Sequence, residues 1–186
     1  MNVYIFASKD INKKSAEKIK NLRITKRHKI AICNNPDDPI VLEKLKQYNR
    51  NIDFRFLRGH PPQLFDDYTI RLKQDLNHKN TEYFISEADD FDDFVKRNRL
   101  QSKIVNNLRI KYEDDLTDQQ KYTSLGIEYN GNLRPSIGFI AAIFMRKRFP
   151  KANIYLCGFT FFMGEVHDSN FEKDYLLNKQ ENFYII

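Results

Sequence analysis

Strand-like and helix-like segments alternate along this chain, and that alternation predicts an α/β domain with a mostly parallel sheet flanked by helices. Three observations carry the prediction. Short apolar runs such as Lys29-Ile30-Ala31-Ile32-Cys33 read as buried strands. Turn signals, Asn34-Asn35-Pro36 and Gly59-His60-Pro61-Pro62, break them off. A length of 186 residues without repeats or a low-complexity linker suits one domain, residues 1–186, with a substantial core.

The elements follow in order. Val3 to Ala7 alternates as a first strand, and a helix runs from about Ile11 to Leu22. Lys29 to Cys33 is the second strand. Asp38-Pro39 then makes a good helix start, an acidic N-cap with proline at the first helical position, and Val41 to Tyr48 carries that helix. Ile52 to Leu57 is a third strand and Tyr83-Phe84-Ile85 a fourth. The acidic stretch Glu87 to Asp93 lacks the glycine and terminal glutamate of a calcium loop, so it reads as an acid cluster at a helix start. Ile104 to Ile110 suits a strand and Asp118 to Tyr122 part of a helix. Phe139 to Met145 is a buried helix, followed by a basic turn from Lys147 to Lys151 and a strand, Ile154 to Cys157. A terminal helix contains Glu172 in its first turns. The polar segments near Leu76 to Asn80 and Ile127 to Asn132 are the candidate insertions.

Composition narrows the functional classes. No apolar run approaches the length that spans a bilayer, and the start lacks the basic leader of a signal peptide, so the expectation is a cytoplasmic protein. Cys33 and Cys157 are the only cysteines, too few for a disulfide framework or a cysteine-rich zinc site. Both fall at strand ends and read as small buried side chains. The formal charge of +6 is interspersed with many acidic residues, which gives nucleic-acid binding low weight and suits anionic ligands or a membrane headgroup surface.

Arg134 to Glu172 holds several chemically suggestive features in one short reach. Ser136-Ile137-Gly138 opens the buried helix, where backbone N–H groups and the positive dipole end attract phosphate or carboxylate. The missing side chain at Gly138 allows close approach, although Ser136 equally suits an ordinary cap. The strand ending in Gly158-Phe159 follows, then a loop bearing His167, with Glu172 beyond four intervening residues. A helix start, a strand end and a histidine loop can converge on one crevice of an α/β sheet. Asn34 and Asn35 can donate to phosphate or ribose, while Asn-Asn-Pro also makes a turn without any ligand. Arg55, near a strand end, and Arg134, at the mouth of the crevice, are candidate anion-binding cations or plain surface charges. His60 sits in a proline-shaped loop, and His28 and His78 read as solvent-facing.

Three of these segments together resemble the motifs of sialyltransferases, both the eukaryotic type and the bacterial lipooligosaccharide type. Ile30-Ala31-Ile32-Cys33-Asn34-Asn35-Pro36 is similar to a strand and loop that opens the nucleotide site. Pro135-Ser136-Ile137-Gly138 through Ile154-Tyr155-Leu156-Cys157-Gly158-Phe159 resembles a Pro-Ser-X-Gly helix start followed by a strand ending in Gly-Phe. His167 and Glu172 match a His–Glu pair of the same spacing, and Phe54-Arg55-Phe56 is a weaker echo of an arginine-containing strand. The first loop lacks the family's glycine, Ile137 replaces a small residue, and the chain is short for such an enzyme.

The resemblance implies a Rossmann-like, sialyltransferase-like fold that moves an acid sugar, of the sialic acid or Kdo type, from a CMP donor to a hydroxyl of a surface glycan such as lipooligosaccharide or capsule. It implies inversion, no required metal and no cofactor beyond the CMP-sugar substrate. The implied partners are the CMP-sugar and a glycan acceptor, with peripheral association at the inner face of the membrane and no nucleic acid. In that scheme His167 is the catalytic base, since imidazole titrates near pH 6.5, and Glu172 orients it. Asn34, Asn35, Arg55, Arg134, Ser136, Ile137 and Gly138 are the substrate-binding set. The alternatives are a non-catalytic nucleotide- or glycan-binding relative of the same fold, and an unrelated basic α/β protein acting on nucleic acid.

Overall fold

The computed structural model describes residues 1–6, 13–33, 52–58, 80–86, 90–97, 100, 101, 103–108, 122–161 and 167–186. Their elements are β1 (Asn2–Phe6), α1 (Lys13–Lys20), β2 (Lys29–Cys33), β3 (Phe54–Arg58), β4 (Glu82–Ser86), α2 (Phe91–Arg97), β5 (Ile104–Asn107), α3 (Ile137–Arg148), β6 (Asn153–Cys157), α4 (Ser169–Asn178) and β7 (Phe183–Ile185). The expected helix over Val41 to Tyr48 lies outside the described residues, as do Asn34, Asn35, His60 and His78.

Seven strands form one sheet in the order β5-β4-β3-β2-β1-β6-β7, and every neighbouring pair is parallel. A parallel sheet has to be covered on both faces, and the side-chain alternation does this. Val3, Ile5, Ala31, Cys33, Phe54, Phe56, Phe84, Ile154 and Leu156 face α3 in the largest core cluster. Tyr4, Phe6, Ile30, Ile32 and Cys157 face the other way, with Ile19 of α1. Leu57, Tyr83 and Ile85 continue that second face with Phe94 of α2.

α3 begins where the Ser136 hydroxyl accepts from the Phe139 N–H at 3.1 Å, and it ends on Arg146, Lys147 and Arg148, which complement the dipole. It is apolar on most sides because it is buried on most sides: Ile137, Phe139, Ile140, Ala141, Ala142, Ile143 and Met145 all lie in the core. At its far end Arg146 donates to the carbonyls of Pro150, Ala152 and Glu181 and lies over the Phe183 ring, which ties the helix to β7.

β7 is an element that the sequence did not announce. Phe183, Tyr184 and Ile185 pair with Ile154, Tyr155 and Leu156, so the chain turns back beside β6 after α4. α2 meets expectation, since Asp90 caps it by accepting from the Asp93 N–H at 2.9 Å. The two cysteines are buried and far from pairing. β1 lies between their strands and their side chains enter opposite faces. Two strand spacings, about 10 Å, exceed the roughly 7 Å reach of a disulfide.

Candidate functional site

Parallel strands connected through helices put every helix start at the carboxyl edge of the sheet. The strand order reverses between β1 and β6, and the carboxyl edge at such a reversal is where open α/β sheets bind ligands. The first turn of α3 sits there. The Cys33 thiol at the end of β2 is 4.0 Å from the Ile137 carbonyl. A Cβ built on Gly138 would come within 2.7 Å of the Phe159 ring, just past the end of β6. The exit from β6 is a sharp turn: Gly158 has φ 74° and Phe161 φ 51°, a left-handed conformation that an aromatic residue seldom adopts. That turn brings Phe159 onto α3. Gly138 therefore leaves room for a neighbouring ring, and the close approach expected of a ligand is made by Phe159.

The second component is the segment 167–172. Asp168 caps α4, its Oδ1 accepting from the Phe171 N–H at 2.9 Å and its Oδ2 from the Tyr129 hydroxyl at 3.1 Å. One turn on, Glu172 is 2 % exposed and enters the core. Its Oε1 accepts from the Ser136 N–H at 2.6 Å and the Tyr122 hydroxyl at 3.1 Å, and its Oε2 from the Ser136 hydroxyl at 2.6 Å. A buried carboxylate thus lies against the positive end of α3, the place where an external anion was expected. Burial, and then the Glu172 charge, push the Tyr122 phenol pKa up, and burial raises that of Tyr129.

His167 is 6 % exposed, and its Nδ1 is 2.8 Å from the Arg134 carbonyl oxygen. A carbonyl can only accept, so Nδ1 carries the proton and donates. In the neutral ring this assigns the lone pair to Nε2. The Arg134 carbonyl thus fixes the tautomer and the orientation of the ring, with Nε2 as the nitrogen that can accept a proton.

The structure joins Arg134, Ser136, Ile137, Gly138, His167 and Glu172 in one cluster. It separates Arg55 from them. That residue is second in β3, not at its end, is 1 % exposed, and alternates with Phe54 and Phe56, so it faces away from α3. Sequence reasoning missed Tyr122, Tyr129 and Asp168, whose partners lie 50 and 39 residues distant in the two tyrosine cases. A local signal existed only for Asp168, an acid placed to cap the helix carrying Glu172. Among the described residues, no group of three or more His, Cys, Asp or Glu side chains is placed to hold a metal ion. Nor is any described helix long and apolar enough to cross a membrane. Comparison with family models, curated proteins and solved structures finds no match for this chain.

Proposed function

We propose that this protein is an inverting, metal-independent glycosyltransferase that moves an acid sugar from a CMP donor to a hydroxyl of a surface glycan, on a Rossmann-like, sialyltransferase-like fold. The observation that carries the reading is the His167 imidazole, anchored through Nδ1 to the carbonyl of Arg134, two residues before the Ser136 cap of α3. In the step proposed, Nε2 takes the acceptor hydroxyl proton as that oxygen bonds to the anomeric carbon. The bond from the anomeric carbon to the CMP phosphate oxygen breaks, and its electron pair leaves with CMP. The N–H groups of Ile137 and Gly138 receive the departing phosphate, since Glu172 already binds the Ser136 N–H and answers the α3 dipole. Asn34 and Asn35, which follow Cys33 directly, hold the nucleotide, and the Arg134 side chain adds positive charge. Glu172 and Ser136 are positioning residues, because their polar atoms bind each other. Arg55 is left out.

Calorimetric titration with CMP and CMP-sugars tests the nucleotide half; absence of affinity for any of them ends the proposal. The variant His167→Ala should lose transfer and keep CMP affinity within about threefold, and undiminished transfer would remove His167 from the base role. One observation favours a non-catalytic relative: Glu172 and Phe159 already occupy part of the helix start. That version binds CMP but neither transfers nor hydrolyses a donor.

A further inference from the structure

Counted by segment, the positive charge is not interspersed as the balance of the whole chain suggests but concentrated in one stretch. Residues 13–29 hold eight lysines and arginines against one acid, Glu17, a net +7. With +6 for the whole chain, the other residues carry −1 together. This segment is α1, the turn after it and the first residue of β2. α1 buries Ala16 and Ile19 against the sheet, which turns Lys13, Lys14, Lys18 and Lys20 outward. Arg23, Lys26 and Arg27 continue the exposed surface at the amino edge of the sheet. Lys29 is held by Asp53 at 2.8 Å and stands apart from the others. The core needs only the apolar side of α1, so packing does not account for the cations opposite.

We infer that the outer side of α1 and the following turn form a docking surface for an anionic lipid bilayer. The residue types favour lipid headgroups over nucleic acid. Lysines outnumber arginines six to two in this segment, and lysine supplies a mobile point charge without the planar fork that reads bases or grips single phosphates. None of the exposed large apolar side chains lies there, so among the described residues this surface offers no stacking platform for bases. The apolar side of α1 is already used, so the contact is electrostatic adsorption, without helix insertion. α1 runs from the carboxyl edge, where the His167 cluster lies, to the amino edge. α3 covers the opposite face of the sheet, so a chain adsorbed along α1 holds that cluster on the side away from the bilayer, and the contact stands independently of the function proposed above.

The test is co-sedimentation of the full chain with vesicles of phosphatidylcholine alone or with about 30 mol % phosphatidylglycerol. Binding is expected only to the anionic vesicles and should weaken steeply from about 0.1 M to about 1 M salt. The triple variant Lys18→Gln, Lys26→Gln, Arg27→Gln should lose about 100-fold in partitioning, about fivefold for each cation removed. The control triple Lys96→Gln, Lys151→Gln, Lys173→Gln removes equal charge from elsewhere and should stay within about threefold of the parent. Equal losses in both triples, no binding to anionic vesicles, or preferential capture of a single-stranded oligonucleotide at about 0.15 M salt would each overturn the inference. CMP calorimetry on the same variants reports separately. A parent chain that binds CMP but not anionic vesicles overturns the docking surface alone, and one that binds the vesicles but no CMP or CMP-sugar overturns the nucleotide reading alone.

Discussion

Glu172 offers the sharpest test of how the site is held together. Its carboxylate receives three donors, the Ser136 N–H, the Ser136 hydroxyl and the Tyr122 hydroxyl, while nearly sealed from water. Two effects compete when it is replaced. Removing a buried charge recovers desolvation energy. Against that, each donor left without an acceptor costs about 1–3 kcal/mol, and losing the negative charge at the start of α3 costs about 1–2 kcal/mol in so buried a geometry. Glu172→Gln keeps an oxygen for two donors and deprives the Ser136 hydroxyl, so the net loss is about 2–3 kcal/mol. Glu172→Leu deprives all three and should cost more than about 4 kcal/mol. For a chain of this size each kcal/mol lowers Tm by about 2–4 °C, which puts the Gln variant some 5–10 °C below the parent. Urea unfolding followed by far-ultraviolet circular dichroism measures both. The order should be wild type, then Gln, then Leu. A Leu variant as stable as wild type would show that burial cost dominates and refute the reasoning. Tyr122→Phe adds an internal check. It should cost about 1 kcal/mol in the parent and become neutral or stabilising beside Glu172→Leu, where it removes an unsatisfied hydroxyl.

Two further outcomes follow from the packing. Gly138→Ala forces a methyl against the Phe159 ring and should cost about 1–3 kcal/mol in urea unfolding; Phe159→Leu in the same chain should recover part of it, and an unchanged midpoint would disprove the contact. Burial pushes the thiol pKa of Cys33 and Cys157 well above the ordinary thiol range. A raised folded pKa means stability is fully present below about pH 9 and lost as pH climbs beyond it, with the raised Tyr122 and Tyr129 phenols adding above about pH 10. The urea midpoint should therefore fall between about pH 8.5 and 10.5 with proton release on unfolding, and both thiols should resist a thiol reagent until urea unfolds the chain; a flat midpoint would contradict it.

Much of the fold was legible locally. β2, β4 and β6 show as short apolar runs, and Ser136 shows as a cap ahead of a buried helix. β7 was not legible, because three residues after a helix carry too little pattern and pair only because β6 offers an open edge. The face of Arg55 was not legible for a related reason. Sequence placed it near a strand end, but alternation with Phe54 and Phe56 assigned its face, and only the sheet could show which face α3 covers. Ser136 and Glu172 were each found, but in roles directed at a ligand, whereas their polar atoms bind each other.

Periodicity and capping act over a few residues, so the sequence by itself determined the strand and helix alternation and the mostly parallel sheet class. The tertiary structure alone decided that Tyr122 and Tyr129 donate to acids on α4 and that the Arg134 carbonyl selects the His167 tautomer. These are pairings across 50, 39 and 33 positions. Nothing local specifies such partners; they are chosen when strand order brings the start of α3 and the start of α4 to the same edge, where each buried donor must find an acceptor.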